Sequence, residues 1–182
     1  MKSQKALPSG YKKAMTIDLL NNKKLFIRVN VIAIILAAVT FAIGLCINEF
    51  HFNLNLIFSV AIIVIYILLH ELVHGIFMYF FSRVKPSYGF NLAYAYAGST
   101  AYFSKTHYII IALAPIVILG LVLAVIGYFT VNTNWFWIFY IVECLNISGA
   151  AGDIYVTALL LKLPADILVN DSGFKMIVYQ KS

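Results

Sequence analysis

Four apolar segments, each long enough to cross a bilayer, constrain the fold of this chain of 182 residues more than any other feature of it. They lie at about 26–47, 54–81, 108–129 and 135–161. A helix of ~20 apolar residues spans the hydrocarbon core, because in lipid each backbone N–H and C=O must be satisfied within its own segment. Hydrophobic residues make up 63% of the chain and charged residues 11%, which excludes an ordinary soluble domain. The expectation is an all-α membrane protein: a polytopic bundle of about four transmembrane helices forming one domain over residues 1–182. The first segment is longer than the apolar core of a signal peptide and is read as a retained helix. Cys46 and Cys144 both fall inside apolar segments and read as small buried hydrophobes, not as a disulfide or a cysteine-rich metal site.

Charge placement orients the bundle. Lys2, Lys5, Lys12, Lys13, Lys23, Lys24 and Arg28 precede or open the first segment, Arg83, Lys85 and Lys105 lie between the second and third, and Lys162, Lys175 and Lys181 follow the fourth. The other two connections contain no Lys or Arg. The positive-inside rule therefore puts both termini and the long middle connection in the cytoplasm. The net charge of +6 follows from this topology and from attraction to anionic lipid, so the bilayer is the expected partner and no nucleic acid is needed.

Within the second segment stands His70-Glu71-Leu72-Val73-His74. On a helix His70 and His74 lie one turn apart on one face and can reach a single Zn²⁺, with Glu71 beside the metal as general base for its water. Ionisable residues in the apolar middle of a span cost several kcal/mol unless something binds them, so a function is expected there. A tetrahedral catalytic zinc takes a third protein ligand and leaves one position open. His74 lies nine residues before Arg83, and Asp153 nine residues before Lys162. At ~1.5 Å per residue both sit roughly 13 Å from the cytoplasmic surface, which makes Asp153 the expected third ligand. Small residues from Ser148 to Gly152 would let its helix come close.

The remaining polar residues carry alternatives. Asn146, two turns before Asp153, either hydrogen-bonds a substrate carbonyl or ties two helices together. Glu143 reads as a hydrogen-bonded bundle residue, and His51 and His107 as interfacial histidines, with His107 the reserve ligand. Pro115 removes a backbone hydrogen bond in the third span, kinking it or opening a path for water or substrate. Between spans two and three, Tyr88, Phe90, Leu92, Tyr94 and Tyr96 alternate with small or polar residues before Gly98-Ser99-Thr100, the pattern of a short cytoplasmic β-hairpin. That hairpin is either an interfacial anchor or an edge to which an unwound substrate adds as a strand. The tail from Asp166 to Tyr179 reads as a second hairpin turning around Asn170-Asp171-Ser172-Gly173.

His70-Glu71-Leu72-Val73-His74-Gly75, the Ala114-Pro115 step and Gly152-Asp153 together resemble the site-2-protease-like intramembrane zinc metalloproteases. With Pro8-Ser9-Gly10-Tyr11, Lys85-Pro86, Tyr88-Gly89-Phe90, Leu163-Pro164-Ala165-Asp166 and Asp171-Ser172-Gly173, nearly the whole chain is similar to the bacterial putative zincin peptidase family of small four-span proteins. The resemblance implies an integral protein of the bacterial cell membrane that cleaves a membrane protein or peptide. It also implies Zn²⁺ on His70, His74 and Asp153, with Glu71 as base. It departs from the site-2 pattern at Gly149, where Asn-x-x-Pro would place a proline, and at Gly152, which precedes the Asp. The alternative is a non-catalytic zinc-stabilised membrane protein, an immunity or partner-binding factor, which would have no use for Glu71. A metal transporter is the weakest reading, since no further intramembrane His or Asp extends a path.

Overall fold

The computed structural model describes residues 3–18, 21–51, 57–90 and 95–182. Helix α1 spans Lys23–Ile47, α2 Ile57–Ser82, α3 Lys105–Thr130, α4 Phe136–Gly149 and α5 Ala151–Leu161. Four units, with α4 and α5 counted as one, are long and apolar enough to cross a membrane. The expected start of the second span at 54 lies outside the described residues. Helix ends are set by short-range chemistry. Asn22 accepts the Leu25 N–H to open α1, and Ser104 accepts that of His107 to open α3. Helix α2 closes at Arg83, which takes a left-handed φ of 57°. Lys105 Nζ donates to the carbonyls of Leu161 and Leu163 and so satisfies the end of α5.

The bundle turns apolar side chains outward as a lipid-facing protein does: Ile34, Val60, Leu68 and Leu121 are all more than 60% exposed. Cys144 is buried as expected, but Cys46 lies on the outward face of α1. Close approach between α1 and α4 depends on Gly44, where a Cβ would run into the Tyr140 ring, while the Tyr140 hydroxyl donates to the Thr40 carbonyl at 2.7 Å.

The expected helix bundle with two hairpins omits an N-terminal strand, a short strand before α3 and the sheet that joins them to the tail. Strands β1 (Tyr11–Ile17), β4 (Phe103–Ser104), β5 (Leu168–Asp171) and β6 (Met176–Lys181) form an antiparallel sheet in the order β1-β6-β5-β4. The expected tail hairpin is the β5–β6 pair, turning at Gly173 with φ 84°. Strand β1 eludes pattern reading because its pairing shifts register between Lys13 and Met15, which breaks its alternation. The hairpin between α2 and α3 pairs β2 (Ser87–Phe90) with β3 (Ala95–Gly98). Its connection, residues 91–94 and with them Leu92 and Tyr94 of the expected alternation, lies outside the described residues. Gly98-Ser99-Thr100 is therefore not the hairpin's turn. It leads from β3 toward β4 and packs on the tail: a Cβ on Gly98 would strike the Ser172 carbonyl. Since β1, β4 and β6 share one sheet, the N-terminal segment, the tail and the start of α3 lie at one end of the molecule.

Two glycines give opposite expectations. Gly44→Ala should lower the thermal unfolding midpoint in detergent, as overpacking costs about 1–3 kcal/mol. Gly127→Ala, with nothing within 4 Å of its added carbon, should leave the midpoint unchanged or raise it, since Ala gains up to about 1 kcal/mol of helix propensity.

Candidate metal centre

The carboxylate and both imidazoles meet between α2 and α5. His70 Nε2 lies 3.5 Å from Asp153 Oδ2 and His74 Nε2 lies 3.6 Å from Asp153 Oδ1, while the two Nε2 atoms are 3.2 Å apart. One donor atom from each of the three residues falls within 4.8 Å of the others. Donors about 2.1 Å from a tetrahedral ion sit about 3.4 Å from one another, so the spacing suits zinc. Helix periodicity brings His70 and His74 together, and the break at Ala150 delivers Asp153. There α4 ends, and α5 begins with Asp153 in its first turn, where the positive end of a helix favours a carboxylate.

Partners on the Nδ1 side leave both Nε2 atoms facing Asp153. His74 Nδ1 lies 2.9 Å from the Ile111 carbonyl, which can only accept, so Nδ1 holds a proton, and in the neutral imidazole Nε2 then presents a lone pair. That carbonyl is available because the residue four positions on is Pro115, which has no N–H to fill it. The proline expected to break the helix thus supplies the partner that sets the His74 tautomer.

His70 is set through a longer chain. Asn146, fully buried, directs Nδ2 to the Ile116 carbonyl at 3.2 Å and to Glu143 Oε2 at 3.2 Å. Its Oδ1 therefore faces Tyr66, whose hydroxyl donates to it at 3.3 Å. That hydroxyl, 3.0 Å from His70 Nδ1, then accepts the imidazole proton, and His70 Nε2 is left as a lone pair. Gly120 makes room for this chain, since a Cβ there would come within 2.9 Å of Asn146 Nδ2. With both imidazoles neutral and protonated on Nδ1, two lone pairs and a carboxylate converge at 3.2–3.6 Å, an arrangement that a divalent cation would complete. The donor set fits a divalent metal, and the Tyr66 hydroxyl and the Ile111 carbonyl hold the imidazoles from their Nδ1 side, as the partners of metal-binding histidines do.

Glu71 stays outside this cluster, half-buried on α2 and beside the Ala97 backbone of β3. Tyr88 of β2 reaches the same helix one turn on, where its hydroxyl occupies the space a Cβ on Gly75 would take. The phenol is held above its ordinary pKa, first by burial and then by the charge of Glu71. The hairpin is clamped from behind by the tail. The Ser99 N–H donates to the Asp171 carbonyl at 2.7 Å, and Asn170 Nδ2 donates to the carbonyls of Ser99 and Ala101. The Asp171 carboxylate accepts from Tyr108 of α3 and from the Gly173 N–H. Burial raises the Asp171 pKa, and these two donors oppose the rise.

Of the residues expected from sequence, His70, His74 and Asp153 come together with Glu71 beside them. Asn146 hydrogen-bonds Ile116, Glu143 and Tyr66. Glu143 contributes a hydrogen bond to that chain. His107 is remote from the cluster, stacked on Phe81 with its Nδ1 2.9 Å from Ser3 Oγ, and His51 lies exposed beside Glu49. Sequence reading missed Tyr66, although it stands one turn before His70, and the Ile111 carbonyl, for which only Pro115 was a signal.

The chain is mostly helical, with four helices long and apolar enough to cross a membrane and a His-His-Asp cluster, shared between α2 and α5, that could hold a metal ion. The sequence profile of the family described as "Putative zincin peptidase" matches residues 62–168, and the chain belongs to that family. The match contains every residue of the cluster and of its orienting chain. No curated protein and no solved structure matches the chain.

Substitution of either orienting partner should weaken zinc binding without removing a ligand. Pro115→Ala restores an N–H that competes for the Ile111 carbonyl, and Tyr66→Phe strands His70 Nδ1. Each should cost about 10–100-fold in zinc affinity, measured by competition with a chromogenic chelator. Pro115→Ala should at the same time raise the unfolding midpoint of the metal-free protein, because it mends the helix.

Proposed function

We propose that this chain is an intramembrane zinc peptidase, similar to the site-2 proteases, that hydrolyses a peptide bond of a membrane-associated substrate near the cytoplasmic side. The observation that carries the reading is a complete ligand set with a carboxylate left outside it. His70, His74 and Asp153 hold the metal, and Glu71, adjacent in sequence to a ligand, is not needed to hold it. Bound zinc would supply a Lewis acid for the substrate carbonyl and a water that loses its proton near neutral pH. Glu71 accepts that proton and delivers it to the leaving amine nitrogen, so that the C–N bond breaks as the new N–H forms. His70 and His74 keep their Nδ1 protons throughout, held by Tyr66 and by the Ile111 carbonyl.

The β2–β3 hairpin beside Glu71 suits a substrate in extended form. Peptide groups in a helix already have their hydrogen bonds made, so the scissile stretch must unwind, and a strand edge supplies replacement partners. With both termini and the connection between α2 and α3 at one end of the molecule, a cytoplasmic location for that end follows from its basic residues.

Glu71→Gln separates chemistry from metal binding. It should keep about one zinc per chain and lose at least about 10²-fold in cleavage rate, so that cells expressing it accumulate an uncleaved membrane protein, read by comparing membrane proteomes. His74→Ala and Asp153→Ala should lose metal and cleavage together. A Glu71→Gln chain that supports every phenotype of the wild type, while a zinc-free variant does not, would make the metal structural and sink the peptidase reading.

Orientation has its own test. In a chain freed of Cys46 and Cys144, a membrane-impermeant thiol reagent added to intact cells should label a cysteine placed at Asn132 and spare one placed at Ser87 or Ser182. The opposite pattern overturns the topology.

A further inference from the structure

We infer that a cleft between β1, the start of α1 and α5 binds the head group of an anionic phospholipid. The cleft has a volume of about 310 Å³ and is open to the surface. Its polar lining consists of groups able to donate hydrogen bonds: Lys24 and Arg28, one turn apart on α1, with Thr16, Asn22 and Tyr155. Its floor is apolar, made by Ile17, Leu25 and Leu159. Among the described residues no Asp or Glu lines it.

Each group is available. Among the described residues neither Lys24 nor Arg28 forms an ion pair with a carboxylate. Asn22 uses Oδ1 to cap Leu25, which leaves Nδ2 to donate outward. Like charges at i and i+4 repel, and an anion between them relieves that repulsion. A phosphodiester suits the pair, since the guanidinium fork matches two phosphate oxygens and the ammonium adds a point charge.

Position decides between a lipid and a free anion. The next residues along α1, Phe26 and Ile27, are each 50% exposed and begin the lipid-facing surface of the bundle. A head group on Lys24 and Arg28 therefore has its glycerol against Leu25 and Leu159 and its chains running down α1. An amphiphile satisfies both halves of the cleft, whereas a free phosphate satisfies only one. A zwitterionic head would bring its own cation toward Lys24 and Arg28, so a net-anionic lipid is selected. Tyr155 and Leu159 project from the helix that carries Asp153, so the bound lipid braces that helix from its far side.

The inference is independent of the peptidase reading and is tested without activity. Full-length protein in detergent is titrated with short-chain phosphatidylglycerol, with phosphatidylcholine of the same chain length and with sodium phosphate, and adducts are counted by native mass spectrometry. One phosphatidylglycerol per chain is expected at concentrations where phosphatidylcholine leaves the site empty. Lys24→Glu with Arg28→Glu should weaken it about thirtyfold or more, and Lys24→Gln or Arg28→Gln alone about fivefold. Leu159→Trp, which fills the floor and leaves the charge alone, should also weaken it. Zinc content reports that each variant is folded, and the single Gln variants and Leu159→Trp decide the matter where the double variant does not purify. Equal binding of the two lipids, or unchanged phosphatidylglycerol affinity in the charge variants, overturns the inference. Displacement by phosphate at equal concentration, with Leu159→Trp silent, reduces the site to one for a free anion and overturns it as well.

Discussion

Everything at the metal centre depends on where two imidazole protons sit, and α3 places both. The Ile111 carbonyl takes the His74 Nδ1 proton directly. The Ile116 carbonyl, by fixing the Asn146 amide, determines through the Tyr66 hydroxyl that His70 is also protonated on Nδ1. In the neutral imidazoles both Nε2 atoms then converge as lone pairs beside a carboxylate. The dependence is mutual, because a carbonyl unfilled within a membrane helix costs several kcal/mol, and His74 satisfies the one that Pro115 leaves open. A helix defect and a buried imidazole each remove the other's cost.

The other helices supply rigidity around that arrangement. Gly120 lets Asn146 approach α3, and the small residues from Ser148 to Gly152 let the chain end one helix and restart another, which puts Asp153 at a helix N-terminus opposite the histidines. Helix α1 stands apart from this core, turned mainly toward lipid and joined to α4 where Gly44 meets Tyr140. The His-His-Asp cluster and the residues that orient it form a polar patch inside the bundle, whereas large apolar side chains make up much of its outer surface.

Outside the bundle the sheet gives the site its boundary. Strand β5 is hydrogen-bonded on both sides, to β6 and to β4, and its end at Asp171 holds β3 through Ser99 and α3 through Tyr108. The hairpin that lies over Glu71 is thus held by the C-terminal tail, far from it in sequence. The tail also belongs to the core, since Val169 and Val178 are fully buried in one cluster with Met78 of α2, Ile111 of α3 and Leu160 of α5.

Apolar length alone determined the four membrane-crossing units, because spanning is a local requirement that each segment meets by itself. The i, i+4 histidines and the neighbouring Glu71 were equally legible, since helix geometry relates residues one turn apart whatever surrounds them. The level match that pointed to Asp153 worked because two straight helices measured from one surface share a depth scale. The tail hairpin was visible in its turn residues, whereas β1, with its alternation broken by a bulge, and the four-stranded sheet were not. Only the tertiary structure decided what Pro115, Asn146 and Tyr66 do. Each acts on a partner in another helix, and which carbonyl meets which donor depends on how helices rotate and approach. That is fixed by packing around Gly120 and the small-residue break before Asp153, and no periodicity within one segment records it.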